Sequence, residues 1–182
     1  SASYEWDSIA TQEWDINYSW TEVSSGDSYS QITSDGTYKL IPKNTSNIIT
    51  CLNAVAVDPE NSNNTEDAGA SWSDYTVEAD VKRNDTNGKS VGAYLLGRVQ
   101  YDAEHDGYSY YMLKLHSSRI YLSKRYYDTN KGKFVEVSLG DTAGAAAVGE
   151  WAHATMSFAG NEITISLNYT ANGEEKTATK TI

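Results

Sequence analysis

Alternation of apolar and polar positions through the middle of the chain is the signal around which its elements can be placed. From Gly92 to Tyr101, alternate positions hold Ala93, Leu95, Gly97 and Val99, against Tyr94, Leu96, Arg98 and Gln100. From Tyr108 to His116, Tyr111, Leu113 and Leu115 continue the apolar set, against Tyr110, Met112, Lys114 and His116. From Arg119 to Tyr127, Ile120 and Leu122 stand opposite Arg119, Tyr121, Ser123 and Arg125. Successive side chains of a strand point to opposite faces, so the pattern predicts consecutive strands with one face in a core. The opposite face is built from Tyr, Arg, Lys, Gln and His rather than from Glu, Lys and Thr alone. It is the candidate functional surface.

The same reading extends to both ends. Trp6 and Trp14 fall in an irregular lead-in, and Asp15–Val23 is the first strand. Tyr29–Thr33 and Thr37–Ile41 flank Ser34-Asp35-Gly36, whose Asp-Gly pair favours positive φ and hence a hairpin. Ile48–Val57 reads as a deeply buried strand, and 58–71, dense in Asn, Asp and Glu and without a period, as a long polar loop. Trp72–Lys82 alternates Tyr75, Val77, Ala79 and Val81 inward with Thr76, Glu78, Asp80 and Lys82 outward, and Asn84–Gly88 is a turn. Further on, Phe134–Leu139 is a strand and 141–149 a loop of small residues. Trp151–Phe158 and Glu162–Tyr169 pair across Ala159-Gly160-Asn161, and Asn172-Gly173 turns the chain into Lys176–Ile182. No stretch carries a helical period over the length a helix needs. The expected class is all-β, a single domain over residues 1–182 in which two antiparallel sheets pack as a sandwich.

Composition narrows the functions this surface can serve. Lys plus Arg number 14 against 25 Asp plus Glu, a net charge of -11, which opposes nonspecific binding to nucleic acid or anionic lipid. No run of about 18 apolar residues is present, so no membrane insertion is expected. The 14 Tyr and 5 Trp against 2 Phe favour strands and half-buried aromatic surfaces. Cys51 has no internal partner for a disulfide and no base beside it in sequence, so it is read as a buried, inert thiol. Asn-x-Ser/Thr triplets begin at Asn17, Asn44, Asn63, Asn84 and Asn168, and in a chain this rich in Asn, Ser and Thr they mark polar surface loops before they mark glycosylation.

Between Trp72 and Tyr169 the order of motifs resembles a known superfamily. The run Trp72-Ser-Asp-Tyr-Thr-Val-Glu-Ala-Asp-Val-Lys is followed by Gly92-Ala-Tyr-Leu-Leu-Gly-Arg-Val-Gln and Gly107-Tyr-Ser-Tyr-Tyr-Met-Leu-Lys-Leu. Gly149-Glu-Trp-Ala-His and Gly160-Asn-Glu-Ile-Thr-Ile-Ser-Leu complete the series. Together they resemble the laminin-G-like bacterial members of the concanavalin A-like lectin/glucanase superfamily. The resemblance implies a curved jelly-roll sandwich with one concave sheet, on which many members bind glycans and some hydrolyse or cleave them. Members usually continue with a Gly-x-Val-Gly-Leu strand and a final strand that pairs with the beginning of the chain. This sequence stops at Ile182, so a strand-completing partner at the C-terminal edge is one expectation, and a different closure of the sandwich is the other.

Sugars stack their C–H faces on aromatic rings and take hydrogen bonds from Arg, Lys and Gln, and aligned strands offer a preformed platform for both. Tyr94, Arg98, Gln100, Tyr110, Lys114, His116, Tyr121 and Arg125 are the candidate ligand-binding residues. Their cations suit an acidic sugar, because Arg forks match carboxylates, while ordinary cross-strand packing of rings beside cations is the alternative account of the same pattern. Hydrolysis in the superfamily resembles a Glu-x-Asp-x-(x)-Glu strand with two working carboxylates. Glu78-Ala79-Asp80 begins that pattern, but Lys82 and Arg83 occupy the positions of the second Glu, so catalysis is not expected. A lyase could draw on Tyr110, His116 and Arg98, although nothing in their spacing demands it. His105 and His153 lack zinc spacing; calcium remains open at Asp102, Glu104 and Asp106, or in the loop 58–67, because hard cations want several oxygens. The reading is therefore a noncatalytic carbohydrate-binding module, lectin-like, secreted or displayed at a cell surface. An adhesive or structural domain contacting protein partners is the alternative, and a polysaccharide hydrolase or lyase the third.

Overall fold

The computed structural model describes residues 15–22, 28–32, 38–42, 50–58, 61–67, 72–83 and 93–182, and for the first five of these stretches chiefly the backbone pairing. The chain falls into two compact units, Trp6–Trp72 and Ser73–Ile182. The lead-in with Trp6 and Trp14, the Ser34-Asp35-Gly36 and Asn84–Gly88 turns, Asn44, and the burial of Ile48–Val57 with Cys51 lie outside the described residues. Among the described residues every regular element is a β-strand.

In the first unit β1 (Asp15–Glu22) pairs antiparallel with β4 (Thr50–Asp58), and β2 (Ser28–Ile32) with β3 (Tyr38–Pro42) as the expected hairpin. The expected structureless loop 58–71 is corrected. It contains β5 (Asn61–Asp67), which pairs with β4 from Val55↔Asp67 to Asp58↔Asn61 across a register shift. The sequence Asn-Ser-Asn-Asn-Thr-Glu-Asp offers no apolar face, but β5 lies at the edge of its sheet, where backbone pairing to a single neighbour suffices.

The second unit is a β-sandwich. One four-stranded antiparallel sheet runs β10 (Lys133–Ala143), β9 (Arg119–Asp128), β8 (Gly107–Leu115), β7 (Ala93–Asp102). The other four-stranded sheet runs β13 (Glu174–Thr181), β12 (Glu162–Ala171), β11 (Trp151–Ala159), β6 (Thr76–Lys82). The chain passes from one sheet to the other after β6 and again after β10. Between the sheets lie Leu113, Leu115, Ile120 and Leu122 from one side and Met156, Phe158, Ile165 and Leu167 from the other, all buried. These are the inward positions that alternation predicts, each fully buried aliphatic side chain contributing about 1.5–3 kcal/mol before entropy is counted. At the β12–β13 hairpin Asn172 and Gly173 take φ of 53° and 78°, the paired positive φ that a two-residue turn between twisted strands requires.

Two bulges break the simple alternation. In β10 the register shifts between Ser138 and Gly140, so Leu139 is the extra residue and Gly140–Ala143 pair again with Leu122–Arg119. The strand thus overruns its expected end at Leu139, and Asp141 stands on a strand rather than in a loop. In β7 the shift falls between Gly97 and Gln100, and Arg98 has a φ of 46°. A residue left unpaired in the ladder re-aims its side chain, which decides the fate of Arg98.

Candidate functional site

The candidate surface is the side of the β10-β9-β8-β7 sheet turned away from the core. Leu113, Leu115, Ile120 and Leu122 face inward, so their neighbours Lys114 and Tyr121, which pair across β8 and β9, face outward. Tyr94 pairs with Lys114 and Asp141 with Tyr121, which brings β7 and β10 into the same row. At this end the Tyr94 and His116 ring centroids are 6.3 Å apart, and the Tyr121 ring stands edge-on to His116 at 5.3 Å. All three side chains are half-buried.

Two ion pairs border these rings. Arg119 Nε donates to Asp141 Oδ2 at 2.7 Å, and this carboxylate raises the Arg119 pKa, first by hydrogen bonding and then by charge. Lys114 donates from Nζ to Glu136 Oε1, bridging β8 to β10 over the middle strand β9. The row it crosses contains Met112 and Ser123, which retain only 4% and 3% of their exposure although they point away from the core. Tyr110, 7% exposed, is also shut in, and burial is the main cause raising its pKa. A ring must present a face to stack on a sugar. Tyr94 and Tyr121 retain such area, and Tyr110 presents little.

His116 sits where the surface meets a water-sized cavity of about 10 Å³, lined by Val81, Arg83, Leu115, Ala146, Glu150 and other residues. Its Nε2 is buried with no hydrogen-bond partner among the described residues. Desolvation, then the charges of Lys114 and Arg83, hold its pKa below the usual histidine value. This shift favours the uncharged imidazole.

The remaining candidates are dispersed. Arg125 lies toward the far end of the sheet, its guanidinium over the Phe134 ring at 4.7 Å and its Nε donating to the Tyr108 carbonyl at 3.2 Å. Phe134 occupies the space above Gly107, where an added Cβ would come within 2.2 Å of the ring, and Tyr127 stacks on His105 with 3.5 Å between centroids. Gln100 is exposed and pairs with Ser109 beyond the bulge. Arg98 is a correction to the expected platform: it leaves the outer face altogether. Its guanidinium lies over Phe158 at 4.6 Å and donates to the carbonyls of Ser73 and Gly160. Positive φ at the bulge turns this side chain toward the other sheet, where alternation alone would have placed it outward.

Asp102, Glu104 and Asp106 do not converge. Asp102 accepts from both the backbone N–H and the ring of His105, and Asp106 accepts from Tyr101. Among the described residues no group of three or more His, Cys, Asp or Glu side chains is placed to hold a metal ion. On the outer face of the other sheet, Glu78 and Asp80 clasp His153 between them, at 3.2 Å to Nε2 and 2.8 Å to Nδ1. Among the Asn-x-Ser/Thr triplets, Asn17, Asn63 and Asn168 fall on strands β1, β5 and β12 rather than in loops, and the Oδ1 of Asn168 accepts from Thr177.

Glu136 and Asp141, which complete the ion pairs, are absent from the sequence-derived candidates. Alternation from Phe134 could have placed Glu136 outward; Asp141 was hidden by the bulge at Leu139. The chain matches no family model, no curated protein and no solved structure, so the reading of the site rests on its own geometry.

Proposed function

We propose that this protein is a noncatalytic carbohydrate-binding module, a lectin-like part of a secreted or cell-surface protein. In this reading the second unit is a concanavalin A-like jelly roll and the glycan lies on the outer face of the β10-β9-β8-β7 sheet. The observation that carries it is the grouping of Tyr94, His116 and Tyr121 beside the Lys114–Glu136 and Arg119–Asp141 pairs. Rings supply flat apolar faces for C–H stacking, and each ion pair offers a fixed donor and a fixed acceptor to adjacent hydroxyls. Positions on strands are held by the ladder, so little ordering entropy is lost on binding. Compared with the sequence reading, the ligand moves from the centre of the face to the Tyr94–Tyr121 end, because Arg98 and Tyr110 have little to offer a ligand. A glycan array with wild type, Tyr94→Ala and Tyr121→Ala tests it. Binding that drops at least tenfold in both variants supports the site. Binding unchanged in both removes it.

A further inference from the structure

Resting on that carbohydrate reading, we infer that the ligand is a neutral saccharide bound through vicinal hydroxyls, and that Glu136 and Asp141 act as specificity residues that exclude acidic sugars. From sequence the candidate cations Arg98, Lys114 and Arg125 favour the opposite choice, an acidic sugar, since Arg forks match carboxylates. Register changes that. Arg119 on β9 is neutralised by Asp141 on β10, with Nε at 2.7 Å from Oδ2. Lys114 on β8 is neutralised by Glu136 on β10. All four side chains are partly exposed, with Arg119 and Asp141 at 41% and 39%, so a ligand arriving here meets complete ion pairs rather than spare cations.

A carboxylate or sulfate has two ways to bind at such a site, and both are poor. It can displace Glu136 or Asp141, leaving that carboxylate without its partner and close to the new anion. Alternatively it can bind beside the pair and be repelled by the carboxylate already present. His116 adds no compensating charge, since its burial and then the charges of Lys114 and Arg83 hold its pKa below the usual histidine value. The chain as a whole carries -11 and repels polyanions at longer range. Two neighbouring hydroxyls fit without disturbing anything: one accepts from Arg119 or Lys114 while the other donates to Asp141 or Glu136. Each carboxylate keeps its cation, and the sugar ring can lie against Tyr121 or Tyr94.

The test is isothermal titration with two oligosaccharide series of matched linkage, one of neutral hexoses and one bearing uronic acid, on wild type and on a Glu136→Gln, Asp141→Asn double variant. Wild type is expected to bind the neutral series at least tenfold more tightly, with affinity nearly constant from 50 to 500 mM salt, as follows for contacts without net charge. The double variant is close in shape and frees both cations, so it is expected to shift preference toward the uronate series by tenfold or more. Circular dichroism checks that it is folded, and single Asp141→Asn provides the same comparison if the double variant is not. Tighter, salt-sensitive binding of the uronate series by wild type overturns the inference and leaves the carbohydrate reading standing. An unchanged preference in the folded variant also overturns it. Binding of neither series overturns both.

Discussion

The guanidinium of Arg98 lies 4.6 Å from the centre of the Phe158 ring, and that contact joins β7 to the end of β11. Arg98 Nε and Nη2 donate to the Ser73 carbonyl at 2.9 and 2.7 Å, Nη2 also reaches the Gly160 carbonyl at 3.1 Å, and the backbone N–H of Arg98 donates to Tyr75 Oη. One side chain therefore closes the end of the core on three segments. Arg98→Ala is expected to lose about 2 kcal/mol, combining a partly desolvated cation–π contact with charge-assisted hydrogen bonds. Arg98→Lys should recover less than half, because an ammonium cannot fork to one carbonyl while stacking on a ring. Urea unfolding checks both: the midpoint should fall with the slope unchanged, and glycan binding by the folded fraction should stay at the wild-type level.

Gly97 comes against the same ring. A Cβ added there would sit 2.4 Å from Cε2 of Phe158 and 3.2 Å from Cε of Met156. Gly97→Ala is expected to destabilise by about 1–3 kcal/mol through overpacking. Combined with Phe158→Leu, its further cost should nearly vanish, a coupling that thermal unfolding of the two single variants and the double variant measures directly.

Tyr110 behaves as a packed residue rather than as an exposed platform. At 7% exposure, its truncation to Ala should cost about 3 kcal/mol in the range of buried aromatic deletions. Tyr121→Ala, on the half-buried end of the face, should cost under half as much. Chemical unfolding of the pair tests this, and it also shows whether binding lost in a Tyr110 variant reflects lost folding.

Two histidines should pull the pH dependence of stability in opposite directions. His153 has its pKa raised, chiefly by its hydrogen bond to Asp80 and further by that to Glu78. Its stabilisation is fully present below the unfolded value of about 6.5 and fades as pH rises through the folded value. His153→Gln should therefore destabilise at pH 5.5 and have little effect at pH 9. The pKa of His116 is lowered, mainly by desolvation. Wild type loses stability as pH falls below about 6.5, because the unfolded chain takes the proton first. His116→Gln should flatten that acid limb. Unfolding midpoints from pH 5 to 9 for both variants check the signs, and a His153→Gln profile parallel to wild type would remove the clasp from the account.

Alternation carried the sequence reading furthest on the strands that carry no bulge of their own. Leu113 and Leu115, Ile120 and Leu122, and Ile163, Ile165 and Leu167 are inward as their period predicts, because a buried face tolerates no slip of register. It carried no information about β5, whose polar sequence pairs through its backbone. It also misplaced Arg98, since a bulge is a relation between two strands and leaves no local period to read.

Sequence by itself determined the all-β class, the faces of the regular strands and the identity of the tyrosines and cations on the outer face, since these follow from a period of two and from residue chemistry. Tertiary structure decided which of those side chains stand together. Strand register set Arg119 beside Asp141, Lys114 reached Glu136 across a middle strand, and the bulge sent Arg98 to Phe158. Whether a cation is spare or neutralised, and whether a ring is open or shut in, depends on neighbours that are distant in sequence. Only the pairing of strands brings them within a few ångströms.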